Sequence, residues 1–155
     1  EDFPLLTARI ALAGHEIGNH GYSHPHPDQL SISANLEEIK KTDDILFRLT
    51  GFKPSLFAPP YGERGDAVLK AAHEAGYRTI LWSIDTIDWQ RPEPSIITRR
   101  VTEKIHNGAI ILMHPTAPTV KALPQIILEL KNMDYEMVSV STLLQGLQTA
   151  DGNHN

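Results

Sequence analysis

Cysteine is absent from the 155 residues, which excludes disulfides, thiolate nucleophiles and any metal site built on thiolates. No apolar stretch reaches the roughly 18 residues that a membrane-crossing helix needs. Positive charge is scarce and scattered: 14 Lys and Arg stand against 19 Asp and Glu, a formal net charge of -5, and no basic run is longer than two residues. Such a chain lacks the electrostatic footprint of a nucleic-acid partner and has no cluster of basic groups to grip a phosphate ester. Neither G-x-G-x-x-G nor a P-loop occurs at a strand-to-helix turn, which removes the usual nucleotide-binding function of an α/β chain.

What is present suits a packed core. At 41% hydrophobic residues and this length, one domain is expected over residues 1–149, with residues 150–155 as a frayed tail. LLTARIALAG (5–14) reads as most of a helix stopped by Gly14, so the chain is expected to begin inside a fold whose first strand and part of whose first helix lie upstream. Thereafter short apolar strands alternate with helices that have polar starts and glycine stops. Strands are predicted at 15–20, 55–58, 77–85, 109–114 and 135–140. Helices are predicted from Ser31 or Ser33 to Thr50 with Gly51 as stop, over 65–75 before Gly76, over 95–107 before Gly108, over 119–132, and briefly at 141–147. Strict β-α alternation implies a parallel sheet, either open and doubly wound or closed as a barrel, and a barrel lacking its first unit is preferred. Such a barrel exposes sheet edges, which an upstream segment or a neighbouring chain is expected to cover.

The polar residues fall at the ends of these strands. His20 and His24, Tyr61, Asp85 with Asp88 and Trp89, and His114 all lie at or just beyond C-terminal strand ends, the face on which barrel enzymes build active sites. Residues 15–27 read HEIGNHGYSHPHP. His20 and His24 can converge on one metal ion if the chain turns back at Gly21, or they can belong to a solvated polar loop. His26, between two prolines, is expected to be exposed and inert. A third metal ligand is not marked; Asp28, Glu63, Asp85 and Asp88 are candidates by residue type only. His114 ends an apolar strand and is either a proton donor and acceptor or a strand-end histidine bonded to a loop carbonyl. Asp88 either orients that imidazole or caps a turn. Trp89 is a wall for a sugar or part of the core, and the prolines of LFAPPYGE (56–63) either present Tyr61 at the rim or make an ordinary turn.

In this order, NHGYSHP, FAPPYG, WSIDTIDW and ILMHPT resemble the second to fifth motifs of the NodB-type polysaccharide deacetylases, carbohydrate esterase family 4, and most closely their spore-associated bacillus branch. The resemblance implies a deformed (β/α) barrel that hydrolyses N-acetyl groups of N-acetylglucosamine or N-acetylmuramic acid in peptidoglycan or a related cell-wall or spore glycan. It implies a divalent metal, zinc before others, and work outside the cytoplasm at the cell envelope or spore. His20 and His24 match the metal-binding histidines, His114 the acid that protonates the leaving amine, and Asp88 the carboxylate that tunes it. Trp89 matches a wall of the sugar pocket, and Tyr61 the residue whose backbone N–H helps hold the oxyanion.

The first motif of the family, an Asp-Asp pair supplying the base and the third metal ligand, has no match in these residues. Ala58 stands where the third motif usually has an arginine that pairs with the base, and Gly21 where the second has serine or threonine. The change at Ala58, with Gly21 the milder one, keeps a second expectation alive, a glycan-binding pseudoenzyme of the same fold.

Overall fold

The computed structural model describes residues 2–151, which form two compact units, one ending at Leu81 and the other beginning at Trp82. In the first unit, helix α1 (Pro4–Leu12) is followed by α2 (Ile32–Thr50), strand β1 (Leu56–Phe57), α3 (Asp66–Glu74) and β2 (Arg78–Thr79). The second unit holds β3 (Ile84–Asp85), α4 (Pro94–Thr102), β4 (Ile111–Leu112), α5 (Ala117–Asn132) and α6 (Val140–Asp151). All pairing is parallel, β1 with β2 and β3 with β4, as alternating strands and helices require. Residues 152–155 of the expected tail lie outside the described residues, and 150 and 151 belong to α6.

Local chemistry sets most of the helix bounds. Of the two candidate caps for α2, Ser31 is the one used: its hydroxyl accepts from the amide of Ala34 at 3.2 Å, satisfying one of the open donors of the first turn. Gly51 ends α2 at φ +80, where its amide bonds Phe47 O at 2.8 Å. Helix α5 starts two residues before the predicted position because the Thr116 hydroxyl accepts from Thr119 N (3.3 Å) and Pro118 fits the first turn. Helix α4 is shorter than predicted. It ends at Thr102, after which His106 ties the next turn to the Ser83 hydroxyl at 2.9 Å.

The strands are shorter than the apolar runs that predicted them. Over 15–20 only Asn19 pairs, with Phe57, through Asn19 N to Leu56 O (2.8 Å) and Ala58 N to Asn19 O (3.0 Å). The run 77–85 is two strands, because its start bonds to β1 and its end to β4. No ladder forms over 135–140 among the described residues. There the Ser139 hydroxyl accepts from Thr142 N at 3.2 Å and draws Val140 into α6.

Each unit has its own apolar cluster. In the first, Ile39 of α2 meets Phe57, Val68, Ala71, Ala72 and Tyr77; in the second, Ile97 and Val101 of α4 meet Ala122, Ile126 and Leu130 of α5. Fully burying such an Ile or Val side chain stabilises by about 1.5–3 kcal/mol.

Candidate functional site

The first unit gathers the histidine loop and Tyr61. Asn19, buried at the pairing with β1, donates from Nδ2 to Ile39 O and Asp43 Oδ1, both at 2.9 Å, and its Oδ1 accepts from Gly21 N at 2.9 Å. Asp43 is held in turn by the Tyr77 hydroxyl and by Lys53 Nζ at 3.2 Å. Burial, then the Asp43 hydrogen bond, pushes the Tyr77 phenol well above its ordinary range. This polar anchor fixes where the chain leaves the sheet. Gly21 (φ +79) and His24 (φ +54) then turn it back, so that the His20 and His24 rings meet edge to face with centroids 4.9 Å apart. His20 Nδ1 lies 2.5 Å from Ala58 O; a carbonyl can only accept, so Nδ1 carries the proton and the neutral ring has its lone pair on Nε2.

Tyr61 adopts the left-handed conformation, φ +57, between Pro60 and Gly62. Its ring contacts His24 edge to face (4.8 Å) and stacks on His26 (3.9 Å, 10°). His26 is exposed as expected, and its Nδ1 pairs with Glu63 Oε1 at 2.7 Å. Glu63 also accepts from Asp28 N (3.0 Å), and Asp28 accepts from Gly65 N (2.7 Å). The His26 bond, followed by the Asp28 amide, lowers the Glu63 pKa. Both acids of this unit proposed by type as a third metal ligand are thus engaged in shaping the loop. Among the described residues no group of three or more His, Asp or Glu is arranged to hold a metal ion.

The second unit assembles Asp88 and His114. Asp88 lies in a short 3-10 turn (Asp88–Gln90) between Ile87 and Arg91, both left-handed at φ +53 and +54, and its side chain is completely buried. The carboxylate has three donors: His114 Nδ1 on Oδ1 (2.7 Å), and His114 N and the Thr119 hydroxyl on Oδ2, both at 2.6 Å. Burial pushes this carboxyl up, but the bonds from Thr119, the His114 amide and the imidazole outweigh it and leave the pKa lowered. The His114 side chain is 44% exposed, so the imidazole is fixed on one nitrogen and open toward solvent. Trp89, 59% exposed, is no core residue. Asp85 accepts from Ile87 N at 2.8 Å and shapes the turn.

Sequence reasoning missed two residues that hold these groups, Asp43 and Thr119, and gave Asn19, the first residue of NHGYSHP, no role of its own. Only Thr119 carried a signal, standing three residues after a threonine at the start of an apolar run, the spacing of a helix cap and its partner.

Comparison with known proteins places these geometries in context. The polysaccharide deacetylase family model matches residues 1–80. The uncharacterized protein YlxY of Bacillus subtilis (strain 168) is 45% identical over 90% of this chain and 44% of its own length. A peptidoglycan-N-acetylglucosamine deacetylase of Bacillus cereus is 38% identical over 94% of this chain and 54% of its own. The chain therefore spans about half the length of the curated relatives it matches. Among solved structures, BA3943 of Bacillus anthracis, described as a CE4 family pseudoenzyme, is similar at a TM-score of 0.89 and 40% identity, covering 92% of this chain and 51% of that one. A BA3943 mutant with restored enzymatic activity is equally similar, at a TM-score of 0.89. These likenesses bear out the expected α/β fold of the NodB type.

Proposed function

The chain belongs to the polysaccharide deacetylase family, and from that premise we propose that it carries residues of a metal-dependent N-deacetylase. The reaction is hydrolysis of acetamido groups on N-acetylglucosamine or N-acetylmuramic acid of peptidoglycan, or of a related cell-wall or spore glycan: water adds, acetate leaves, and the sugar keeps a free amine. The observation that carries this reading is the buried Asp88 carboxylate locking a half-exposed His114 through Nδ1. An imidazole so held can present Nε2–H to the departing nitrogen, whose protonation is what makes an amine a leaving group. Asp88 orients the ring and fixes its tautomer without taking the proton itself. Trp89 offers an exposed indole face to a sugar ring, and the backbone N–H of Tyr61 would stabilise the oxyanion.

His20 and His24 are the residues that would hold the metal, zinc before others. These two donors fit such an ion as part of its ligand set: the Ala58 carbonyl fixes the His20 tautomer with its lone pair on Nε2, the outer hydrogen bond typical of metal-binding imidazoles, and both are nitrogen donors suited to zinc. When bound, the ion would polarise the acetyl carbonyl and lower the pKa of a water molecule. Work on a cell-wall glycan puts the activity outside the cytoplasm, and no helix among the described residues is long and apolar enough to cross a membrane.

A second reading, a glycan-binding pseudoenzyme, is favoured by Ala58 at the position of the motif arginine and by the likeness to BA3943. Acetate release from peptidoglycan and N-acetylglucosamine oligomers, measured on the full natural chain with added zinc, separates the two. The hydrolase reading expects release that His20→Ala abolishes and that His114→Ala lowers by about 10²–10⁴. Glycan binding with no release, and release appearing in Ala58→Arg, would establish the pseudoenzyme instead.

A further inference from the structure

Between the two loop histidines, three consecutive amides donate to side-chain oxygens, the first to one within the loop and the next two to one on α2. Gly21 N bonds Asn19 Oδ1 (2.9 Å), while Tyr22 N and Ser23 N converge on one oxygen of Glu38, Oε2, at 3.0 and 2.7 Å. The other oxygen, Oε1, accepts from the Ser23 hydroxyl at 3.0 Å. Glu38 belongs to α2, whose neighbouring turns carry the buried Ile39 and Asp43 that receive the Asn19 side chain. The helix therefore grips the loop twice, through Asn19 at its base and through Glu38 at its tip.

We infer that Glu38 is a positioning residue for the His20–His24 pair: its carboxylate closes on the Tyr22 and Ser23 amides and sets the turn that brings the two imidazoles together. Charge on the acceptor makes these bonds about twice as strong as neutral ones, and two amides on a single oxygen fix the direction of the backbone as well as its place. Gly21 shows how narrow the solution is. A Cβ there would lie 3.7 Å from Pro60 Cγ and 3.8 Å from Glu38 Oε2, which is ordinary contact, but on a backbone at φ +79 that side-chain-bearing residues avoid. The loop has no local side chain at 21 to stiffen it, and the distant carboxylate does that work.

The inference rests on the metal reading of His20 and His24, and the test keeps the two apart. Zinc affinity of the full natural chain is measured by chelator competition for wild type, His20→Ala, Glu38→Ala, Glu38→Gln and, as a control on the exposed face of α2, Glu37→Gln. Amide hydrogen exchange at Tyr22 and Ser23 is followed in the same proteins without metal. The expected result is a loss of zinc affinity of about 10–100-fold in Glu38→Ala, partial rescue in Glu38→Gln, whose amide oxygen still accepts, and no change in Glu37→Gln. Exchange at Tyr22 and Ser23 should quicken in Glu38→Ala while unfolding by denaturant remains cooperative. If His20→Ala abolishes zinc binding and Glu38→Ala binds as wild type does, the positioning role is overturned and the metal site stands. If His20→Ala binds zinc as tightly as wild type, the metal reading falls and the inference with it.

Discussion

Replacing Asp88 by alanine tests the second unit where most is at stake. The substitution removes one buried carboxylate and leaves three donors behind: the His114 amide, the His114 imidazole and the Thr119 hydroxyl. They do not suffer equally. His114 Nδ1 belongs to a side chain 44% exposed and can turn to water, and the Thr119 hydroxyl can reorient to the Thr116 oxygen at 2.7 Å. The His114 amide has no such alternative. Hydrogen bonds to a charged acceptor contribute about 1.5–3 kcal/mol each, and a buried donor left open costs about 1–3; relief from burying a charge offsets part of this. The net expectation is about 2–4 kcal/mol at pH 7, or roughly 4–16 °C in Tm for a domain of this size. Thr119→Val, which removes one of the three donors, should cost about 1–2 kcal/mol, and the double variant less than the sum because the two share a bond. Because the folded pKa of Asp88 is lowered, its contribution is present above the unfolded carboxyl value of about 3.9 and is lost as pH falls through the folded value. Urea titrations of wild type and Asp88→Ala should therefore show a gap that narrows as pH falls below about 4. A gap under about 1 kcal/mol at pH 7, or one that does not narrow in acid, would refute this account of how His114 is held.

Ser31→Ala should destabilise the first unit by about 1 kcal/mol in urea unfolding, since it opens the Ala34 amide at the start of α2. Gly51→Ala meets nothing within 4 Å, so its expected penalty of about 1–2 kcal/mol comes from φ +80 alone; no change in the urea midpoint would show that the helix end rearranges. Tyr77→Phe removes a donor from Asp43 while Asn19 and Lys53 remain. It should cost about 1–2 kcal/mol and quicken amide exchange at Gly21, because the anchor of the histidine loop passes through Asn19.

The candidate site was legible where one residue does one job, and illegible where a job is shared across the chain. His20, His24, Asp88 and His114 stand at or beyond the ends of the strands expected from the sequence, and the structure gives each a defined partner. The helices were legible for a similar reason: Ser31 and Gly51 act on amides and carbonyls within a turn of themselves. The strands were not, because an apolar run does not state with which segment it pairs, or whether it pairs at all. Thus 77–85 divides between β1 and β4, and at 135–140 the Ser139 cap prevails over the apolar alternation. Glu38 is the sharper case. As one of two adjacent glutamates on an amphipathic helix it is indistinguishable in the sequence from Glu37, which pairs with Lys41 at 2.9 Å on the solvent side. One helical step of about 100° separates an ordinary surface ion pair from a carboxylate that receives two amides of the histidine loop. The difference becomes visible only when a segment 15 residues away in sequence is folded against it.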